Sequence, residues 1–297
     1  MDMPRVQVLL ACYNGEKYIA QQLDSILGQT GVSVELMIRD DGSTDGTRDI
    51  LADYDARFDR IHVLYGENIG SNAGFFTMLS LADGEYVAFA DQDDVWDADK
   101  LEIAVAALRA EEALLYCANK RLVDEELKPI PGGSFPKLTP GFRGAVVENI
   151  CTGCTLLMTR ELADLICRHL PEHAIYHDWW CYLTATYYGK VVFDETPHMD
   201  YRQHANNQVG AVNNPFALIA MKRKFLKKQR TQLGAQLREF ASYHRGNTEK
   251  DALVDLILAS QSSISARLRL AFLKPFYRQT HLDSLVVRLL FLMGKML

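Results

Sequence analysis

The chain has 297 residues, about half of them apolar and about a quarter charged, which excludes a disordered or fibrous protein and is typical of a soluble globular one. Its length suffices for one large core or two smaller ones. The net charge of −6 hides an asymmetry, because residues 1–200 contain 16 lysines and arginines against 33 acidic residues, whereas residues 201–297 contain 16 against 5. An acidic N-terminal part and a basic C-terminal part predict two regions with different partners.

Neither the start of the chain nor its cysteines favour secretion or a zinc site. No apolar stretch of signal length follows Met1, so we expect a cytoplasmic protein. Cys151 and Cys154 have the spacing of a zinc knuckle, but no second pair follows at a matching interval. Small residues in a buried strand are therefore the favoured interpretation of this segment.

Strands and helices alternate through the first third of the chain. The predicted strands cover 6–12, 34–39, 61–65 and 85–90, and the predicted helices cover 15–27, 46–57 and 72–82. Such alternation means parallel βαβ units, so we predict an α/β fold with a mostly parallel central sheet flanked by helices. In such sheets the ligand crevice lies at the carboxyl ends of the strands.

The pattern is less regular beyond Asp97, which we predict to be the N-cap of a helix. The further predicted elements are a Pro- and Gly-rich loop over 128–143, a strand over 152–158, helices near 160–169 and 177–188, and a strand over 191–193. From Asn213 onward the pattern is helical and basic. We therefore predict one domain over 1–212 and a basic, amphipathic helical region over 213–297.

Three carboxylates, Asp91, Asp93 and Asp94, follow the fourth predicted strand directly, with Gln92 between the first two. Like charges so close together repel one another, and oxygen ligands suit Mg²⁺ or Mn²⁺, which commonly accompany a phosphorylated substrate. The alternative is a solvated loop whose acids cap the next helix. Because acids nearer that helix already occupy the capping positions, a metal site is the favoured hypothesis for this acidic cluster.

Other polar side chains are predicted to share the crevice with the acidic cluster. Tyr13-Asn14 and Asp40-Asp41 each follow a strand directly, and the two aspartates could accept hydrogen bonds from a base N–H or from ribose hydroxyls. Arg202 and His204 are either polar loop residues or clamps for a diphosphate leaving group. No GxGxxG follows the first strand, which argues against a nicotinamide or flavin dehydrogenase.

Asp178 stands between His177 and the two tryptophans Trp179 and Trp180. One interpretation is an acid at a helix N-terminus with an aromatic core behind it. The other is a general base in apolar surroundings. The residues alone leave both interpretations open.

The C-terminal region combines a basic run over 222–230 with an amphipathic tail over 268–297. The last apolar run contains Arg288 and Lys295 and is too short to span a bilayer convincingly. We expect these helices to lie on the anionic inner face of the plasma membrane, with packing on the first domain or on a second subunit as the alternatives.

Read together, the motifs resemble family 2 inverting glycosyltransferases of GT-A fold. They are, in chain order, VLLACYNG (8–15), DDGSTDGT (40–47), ENIG (67–70), DQDDVW (91–96), TGCTLLM (152–158) and HDWW (177–180). The resemblance covers about residues 5–210. Each motif alone is weak, whereas the ordered set is highly specific.

The resemblance implies a nucleotide-sugar donor, a divalent metal and a catalytic base. The base of the donor is expected near Ala11, Tyr13 and Asp41, and Asp178 matches the catalytic base. The implied metal ligands, for Mg²⁺ or Mn²⁺, are Asp91, Asp93, Asp94 and His204. The donor-binding set is completed by Asn14, Glu16, Asp40, Asn68, Gly70, Asp91, Gln92, Arg202 and His204, and the acceptor-binding set is Gly153, Trp179 and Trp180.

DQDDVW, HDWW and the QHxxN sequence at 203–207 look most like the branch that contains rhamnosyltransferases of O-antigen and cell-wall polysaccharide synthesis. Two positions depart from the common pattern. Ala11 stands where many members have Thr or Ser, which removes one hydrogen bond to the base. His177 stands where many have Glu, so the match of Asp178 depends on the branch variant.

The activity that the resemblance implies is transfer of L-rhamnose from dTDP-β-L-rhamnose to a saccharide or lipid-linked saccharide, with inversion. The alternatives are another UDP-, dTDP- or GDP-sugar, a sugar nucleotidyltransferase, and a non-catalytic protein that binds nucleotide-sugar or polysaccharide. A nucleotidyltransferase would normally have a Gly-rich basic loop after the first strand, and residues 11–14 do not form one. We expect no nucleic acid partner, and a homodimer is left open.

Overall fold

A seven-stranded sheet carries the fold within the residues that this computed structural model describes, 3–130, 137–204 and 230–297. The strands are β1 (Arg5–Cys12), β2 (Ser33–Asp40), β3 (Ile61–Tyr65), β4 (Tyr86–Asp91), β5 (Val95–Trp96), β6 (Leu115–Ala118), β7 (Arg121–Val123), β8 (Leu157–Thr159), β9 (Val191–Asp194) and β10 (Met199–Arg202). The helices are α1 (Ile19–Leu27), α2 (Thr47–Arg57), α3 (Ser71–Leu81), α4 (Lys100–Glu111), α5 (Phe142–Ala145), α6 (Arg160–Cys167), α7 (His177–Tyr188), α8 (230–243, its described part), α9 (Thr248–Ala259), α10 (Ile264–Phe272) and α11 (His281–Leu292).

The order of strands in the sheet is β3-β2-β1-β4-β8-β6-β9. β1 pairs in parallel with β2 and with β4, and β2 pairs in parallel with β3. β8 runs antiparallel to both β4 and β6, so β6 points in the same direction as β4. The carboxyl ends of β1, β2, β4 and β6 therefore lie at one edge of the sheet, where ligands of α/β proteins bind.

The central strands are buried on both faces. In β1, Val6, Val8, Leu9 and Leu10 are all 0% exposed and Gln7 is 4% exposed, so burial is continuous along the strand rather than alternating. Burying a side chain of this size contributes about 1.5–3 kcal/mol. This rigid core holds the loops at the carboxyl edge in place.

The predicted α/β pattern is confirmed over the first four strands and three helices, although α1 begins at Ile19 rather than at residue 15. The predicted N-cap of α4 is wrong. Asp99 occupies that position, and the Asp97 carboxylate instead accepts a hydrogen bond from Arg121 Nη1 at 2.8 Å. The predicted strand over 152–158 is replaced by a 3₁₀ turn, Gly153–Thr155, followed by β8. The predicted loop over 128–143 lies partly outside the described residues.

A second, three-stranded sheet has the order β5-β10-β7. β10 is antiparallel to β5 and parallel to β7. Strands of two to four residues carry too few side chains to show a period, so the sequence pattern did not predict them. This small sheet matters because β5 follows the acidic cluster and β10 ends in Arg202.

By their internal contacts, the described residues of 1–137, 151–168 and 189–211 form a first unit, and those of 138–150, 169–188 and 212–297 form a second. The predicted boundary at 212 falls among residues that the structure does not describe. The division also differs from the predicted one, because α5 and α7 belong to the mainly helical second unit. Nine residues of α7, 179–187, are buried, and Trp180 and Tyr187 among them pack against Phe240 of the second unit.

The core of the second unit contains an aromatic cluster around His244. Its ring centroid lies 4.3 Å from Phe240, 5.5 Å from Tyr188, 6.1 Å from Trp180 and 6.2 Å from Tyr187. His244 is 3% exposed, and its Nδ1 lies 3.0 Å from the Tyr188 hydroxyl. Burial, and to a lesser degree His169, lowers the pKa of His244 to about 4. The imidazole is therefore neutral in the folded protein at neutral pH.

We expect this histidine to make the protein sensitive to acid. A group whose pKa falls from 6.5 to about 4 on folding binds its proton in the unfolded chain first, so the free energy of unfolding falls as the pH drops through that window. The loss reaches about 3 kcal/mol near pH 4. Urea unfolding of the wild type and of His244→Phe at pH 7 and pH 4.5 measures it. An equal loss in both proteins would contradict the assignment to His244.

Candidate active site

The loops that follow β1 and β2 are tied together by Asn14 and Glu16. The backbone N–H of Asn14 donates to Ser43 Oγ at 2.9 Å, and its side-chain Oδ1 accepts from the backbone N–H of Thr44 at 2.8 Å. Asn14 has a φ of +50°, a left-handed conformation that asparagine tolerates better than most residues. The Glu16 carboxylate accepts from the backbone N–H of Gly46 at 2.6 Å. These contacts within the protein shape the wall of the crevice. A direct contact of the two side chains with the donor stays a prediction.

Gln92 fixes the backbone of Tyr13 beside the acidic cluster. Its Oε1 accepts from the Tyr13 N–H at 2.8 Å and its Nε2 donates to the Tyr13 carbonyl at 3.2 Å. The Gln92 amide thus replaces a strand partner, because β1 has already ended at Cys12. The ring of Tyr13 is 47% exposed at this edge of the sheet, which leaves it accessible for stacking with a base.

Asp40 is fully buried and serves the turn after β2. Its carboxylate accepts from the backbone N–H of Ser43 at 3.2 and 3.3 Å and from Arg48 Nε at 2.7 Å. A carboxylate with these partners stabilises the loop from inside. Its predicted contact with the donor has no support from this burial.

Asp41 joins the loop after β2 to the loop before α3. Its carboxylate accepts from the backbone N–H of Gly70 at 2.8 Å and from that of Ile69 at 3.1 Å. Gly70 has a φ of +80°, a conformation that only glycine adopts readily. The exposed side chain of Asn68 lies on this loop. Ala11, half-buried in β1, pairs in register with Arg39 and with Asp91.

The structure brings the acidic cluster to the end of β4. Ligand atoms of Asp91, Asp94 and Cys154 lie within 4.8 Å of one another. Asp93 is held by His204, whose Nε2 lies 2.7 Å from Asp93 Oδ2. The structure thus arranges the four predicted metal ligands as two pairs, Asp91 close to Asp94 and Asp93 in contact with His204.

Asp94 is the most constrained member of the acidic cluster. It is 1% exposed, and its Oδ1 accepts from the backbone N–H of Arg202 at 3.3 Å. Burial raises the pKa of its carboxyl well above the usual value, and the charges of Asp93 and Asp91 raise it further. A divalent cation would relieve both the burial and the repulsion.

The potential ligand atoms around Asp94 suit such a cation. Its Oδ2 is buried and has no hydrogen-bond partner among the residues that the structure describes. Carboxylate oxygens are the ligands of Mg²⁺ and Mn²⁺, and the Cys154 thiol stays protonated because burial and the nearby aspartates raise its pKa well above the usual value. The oxygen atoms of the acidic cluster are therefore the fitting ligands.

A buried lysine lies beneath the acidic cluster. Lys100, the first residue of α4, is 3% exposed and its Nζ lies 3.4 Å from the ring centroid of Trp96. Burial lowers the pKa of Lys100 to about 7, and the interactions with Cys154 and Asp94 act in the opposite direction. Lys100 therefore offsets only part of the negative charge of the acidic cluster.

Arg202 is buried and contacts the acidic cluster instead of facing solvent. The side chain is 2% exposed, and its Nε donates to the Asp93 carbonyl at 2.8 Å. Its Nη2 donates to Gln21 Oε1 at 2.6 Å, its Nη1 donates to the Glu125 carbonyl, and its guanidinium lies 4.6 Å from the ring centroid of Tyr18. These partners favour a structural role over the predicted clamp on the diphosphate.

Replacing Arg202 with alanine is expected to lower the free energy of unfolding of the donor-free protein by about 2–4 kcal/mol, because buried carbonyls lose a charged donor. Urea unfolding measures this loss. The control is Arg57→Ala, which removes an arginine that is 55% exposed and pairs with Asp53 at the surface. Unchanged stability together with lost donor affinity would instead support the clamp.

Lys120 is a candidate that the sequence pattern missed. It follows β6, whose end lies at the same edge of the sheet as those of β1 and β4. Its Nζ donates to Thr152 Oγ1 at 3.0 Å and lies 4.1 Å from the ring centroid of Tyr201. Burial raises the pKa of Tyr201, and so do Cys154 and the acidic cluster, which places the ring within electrostatic range of the acids. A strand of four residues gave no signal that would have placed Lys120 here.

Asp178 lies in the second unit, in the first turn of α7. Its Oδ1 accepts from Asn149 Nδ2 at 2.9 Å and from the backbone N–H of Trp179 at 2.7 Å. Negative charge is favourable at a helix N-terminus, which stabilises the carboxylate as an anion. The residue is half-buried, so a proton acceptor and a helix-stabilising acid are both compatible with its position.

The predicted acceptor contacts of Trp179 and Trp180 have no support from the position of these side chains. Both side chains are 0% exposed in the core of the second unit. Trp179 Nε1 donates to the Ala145 carbonyl at 2.7 Å, and Trp180 packs edge-on against Phe240. The two tryptophans form the aromatic core behind Asp178. Gly153 is buried in the 3₁₀ turn of the first unit, and its acceptor contact stays a prediction.

Comparison with known proteins agrees with this fold and this arrangement of motifs. The model of the protein family described as glycosyl transferase family 2 matches residues 7–166 of this chain. The dTDP-rhamnosyl transferase RfbG of Shigella flexneri is 30% identical over 277 residues, which cover 84% of this chain and 91% of RfbG. The putative teichuronic acid biosynthesis glycosyltransferase TuaG of Bacillus subtilis is 47% identical over 100 residues, 33% of this chain and 40% of TuaG.

Two solved structures share the architecture. TarS of S. aureus in complex with UDP superposes with a TM-score of 0.59 and 20% identity, covering 86% of this chain and 70% of that one. The mannosyltransferase PcManGT of Pyrobaculum calidifontis, in complex with GDP-Man and Mn²⁺, gives 0.57 and 18%, covering 98% and 86%. At these identities the likeness concerns the fold, which is GT-A as the resemblance implied. By its family match and by its similarity to RfbG, the chain belongs to glycosyl transferase family 2.

Proposed function

We propose that the chain transfers L-rhamnose, with inversion, from dTDP-β-L-rhamnose to a hydroxyl of a saccharide or lipid-linked saccharide during cell-surface polysaccharide synthesis. The observation that carries the donor class is the acidic cluster at the carboxyl edge of the sheet, beside the exposed ring of Tyr13. The similarity to RfbG over 91% of that protein supports dTDP-rhamnose as the donor.

In this proposal Mg²⁺ or Mn²⁺ would be held by Asp91 and Asp94, whose ligand atoms lie within 4.8 Å of each other, and by Asp93 with its neighbour His204. Such an ion, when bound, supplies positive charge to the diphosphate of the donor. The residues of the chain do the rest of the binding in this proposal. Tyr13 stacks on the base, Asp41 accepts a hydrogen bond from it or orders the loop that covers it, and Lys120 offsets the charge of the leaving diphosphate.

Asp178 is the proton acceptor in the proposed reaction. The acceptor hydroxyl attacks the anomeric carbon, the bond from that carbon to the diphosphate oxygen breaks, and its electron pair leaves with dTDP. The hydroxyl proton goes to the Asp178 carboxylate. A single displacement of this kind inverts the configuration, so a β-linked donor gives an α-rhamnoside.

Lys120 is expected to act on the diphosphate specifically. Replacing it with methionine should weaken dTDP binding about tenfold, which corresponds to about 1.4 kcal/mol, because one cation is lost beside the phosphates. Binding of thymidine alone should not change. Isothermal titration of both ligands to the wild type, Lys120→Met and Lys120→Arg measures the effect. An equal change for thymidine and dTDP would contradict this role.

A thermal-shift screen with dTDP-, UDP- and GDP-sugars, each with and without Mn²⁺, tests the donor. Stabilisation grows with ligand concentration over Kd, so dTDP-rhamnose with Mn²⁺ should raise the melting temperature most. Stabilisation by a UDP- or GDP-sugar instead would replace the donor in this proposal. Absence of dTDP release in the presence of a saccharide acceptor would point to a non-catalytic binding protein.

A further inference from the structure

Helix α11 presents a continuous apolar face to solvent. Its packed side consists of Ser284, Val287 and Phe291. The opposite side consists of exposed apolar residues spaced three, four and seven apart, with exposures of 37–70%. They are Leu282, Leu285, Val286, Leu289, Leu292 and Met293. A helix that is apolar on both sides has a second apolar surface left to cover.

The neighbouring helix α10 carries a similar stripe. Ile264, Leu268 and Phe272 recur every fourth residue, and Leu273 follows them. Ile264 is 72% exposed, Phe272 and Leu273 are each 69% exposed, and Leu268 is 44% exposed. Ala266 and Leu270 form the packed side of this helix. We call the exposed residues of α10 and α11 together the apolar face of the C-terminal helices.

The charged residues of the segment that carries this apolar face are almost all basic. Residues 261–297 contain six lysines and arginines and one acidic residue, Asp283, in a chain whose net charge is −6. Arg269, Lys274 and Lys295 are exposed. Arg278 is used internally, since it pairs with Glu148 at 2.9 Å. The exposed cations therefore remain available to an anionic partner.

We propose that the apolar face of the C-terminal helices lies in the surface of an anionic lipid bilayer. An interfacial helix combines apolar side chains that enter the acyl boundary with lysines and arginines that meet the headgroups, and both features occur here. A second copy of the chain fits less well, because a two-fold interface through this face would bring the exposed cations of two copies together, and like charges repel. None of the helices in residues 3–130, 137–204 and 230–297 has the length and hydropathy for crossing the bilayer.

The test is co-sedimentation of the full chain with vesicles. We expect binding to vesicles of equal parts phosphatidylcholine and phosphatidylglycerol, and roughly tenfold weaker binding to phosphatidylcholine alone or at high salt. The double variant Leu285→Ser, Leu289→Ser should bind both kinds of vesicle roughly tenfold more weakly than the wild type does. The variant Arg269→Glu, Lys274→Glu should lose only the preference for the anionic vesicles.

Two controls separate lipid binding from misfolding. Leu81→Ser removes a leucine of α3 that is 56% exposed, and it should bind vesicles as the wild type does. Circular dichroism melting should be unchanged in every variant, because all the altered residues are exposed. Donor stabilisation in the thermal-shift screen should also be unchanged, so the lipid proposal and the proposed donor can fail separately.

Equal recovery of the wild type with and without anionic vesicles would overturn the proposal. So would an equal loss of binding in Leu81→Ser and in the Leu285, Leu289 variant. If the wild type is instead dimeric in light scattering, and the Leu285, Leu289 variant is monomeric without any vesicle binding, a second copy of this chain covers the apolar face.

Discussion

Replacing Asp178 with asparagine is expected to abolish sugar transfer while nucleotide binding is retained. An amide cannot take the proton of the acceptor hydroxyl, and loss of a general base lowers kcat by about a hundredfold to ten-thousandfold. The asparagine Oδ1 can still accept from Asn149 and from the Trp179 N–H, so the first turn of α7 should persist. Measurement of dTDP release and of dTDP affinity in the same preparation checks both halves of this prediction.

Glu161→Gln is the matched control for Asp178→Asn. Glu161 is an acid in the first turn of α6, so its replacement removes the same favourable interaction with a helix N-terminus, about 0.3–1 kcal/mol, without touching the proposed base. Asn149→Ala should lower kcat less than Asp178→Asn does, because it removes a partner of the carboxylate and leaves the carboxylate itself. Near-normal turnover of Asp178→Asn would refute the assignment and leave this residue as a helix-stabilising acid.

Replacing Asp94 with asparagine is expected to have opposite effects on the metal-free protein and on metal binding. Burial, Asp93 and Asp91 all raise the pKa of Asp94, so its ionised form destabilises the metal-free fold, and Lys100 compensates only in part. A neutral amide of the same shape should raise the free energy of unfolding at neutral pH by about 1–3 kcal/mol. The stabilisation that Mn²⁺ gives to the wild type should disappear.

The sign of this effect also predicts its pH dependence. A carboxyl with a raised pKa in the folded state destabilises the fold above that pKa, and the cost is lost as the pH falls from the raised value towards the ordinary 3.8. Urea unfolding with EDTA should therefore show the gain from Asp94→Asn at neutral pH and little gain near pH 4. Asp99→Asn, which changes an exposed acid before α4, serves as control. A less stable metal-free Asp94→Asn protein would contradict this account.

The central part of the candidate site could be predicted from the sequence. Asp41 and Asp91 each follow an apolar run of strand length, and parallel strands separated by helices place such residues at one edge of a sheet. The structure confirms the alternation of strands and helices and puts the loops after β1, β2 and β4 in mutual hydrogen-bond contact through Gln92 and Asn14. Local period and topology rules were sufficient there because the strands are long.

The roles of individual side chains were less predictable. Arg202 and Asp40 follow the motif pattern of donor-binding residues, yet both are buried and bonded to neighbouring loops. Trp179 and Trp180 look like acceptor contacts beside Asp178 and are core residues. Whether a side chain faces a ligand or its own protein depends on what packs over it, and those partners come from segments far away in the chain.

The sequence by itself determined the α/β class, the order of the motifs and the basic, apolar character of the C-terminal helices, because each follows from local patterns of hydropathy and charge. The tertiary structure alone decided that β6 carries Lys120 to the carboxyl edge and that the acidic cluster shares its surroundings with Cys154 and Lys100. It also decided that α11 has a second, uncovered apolar side. The physical reason is that short strands and burial are set by contacts between distant segments, which no window of sequence contains.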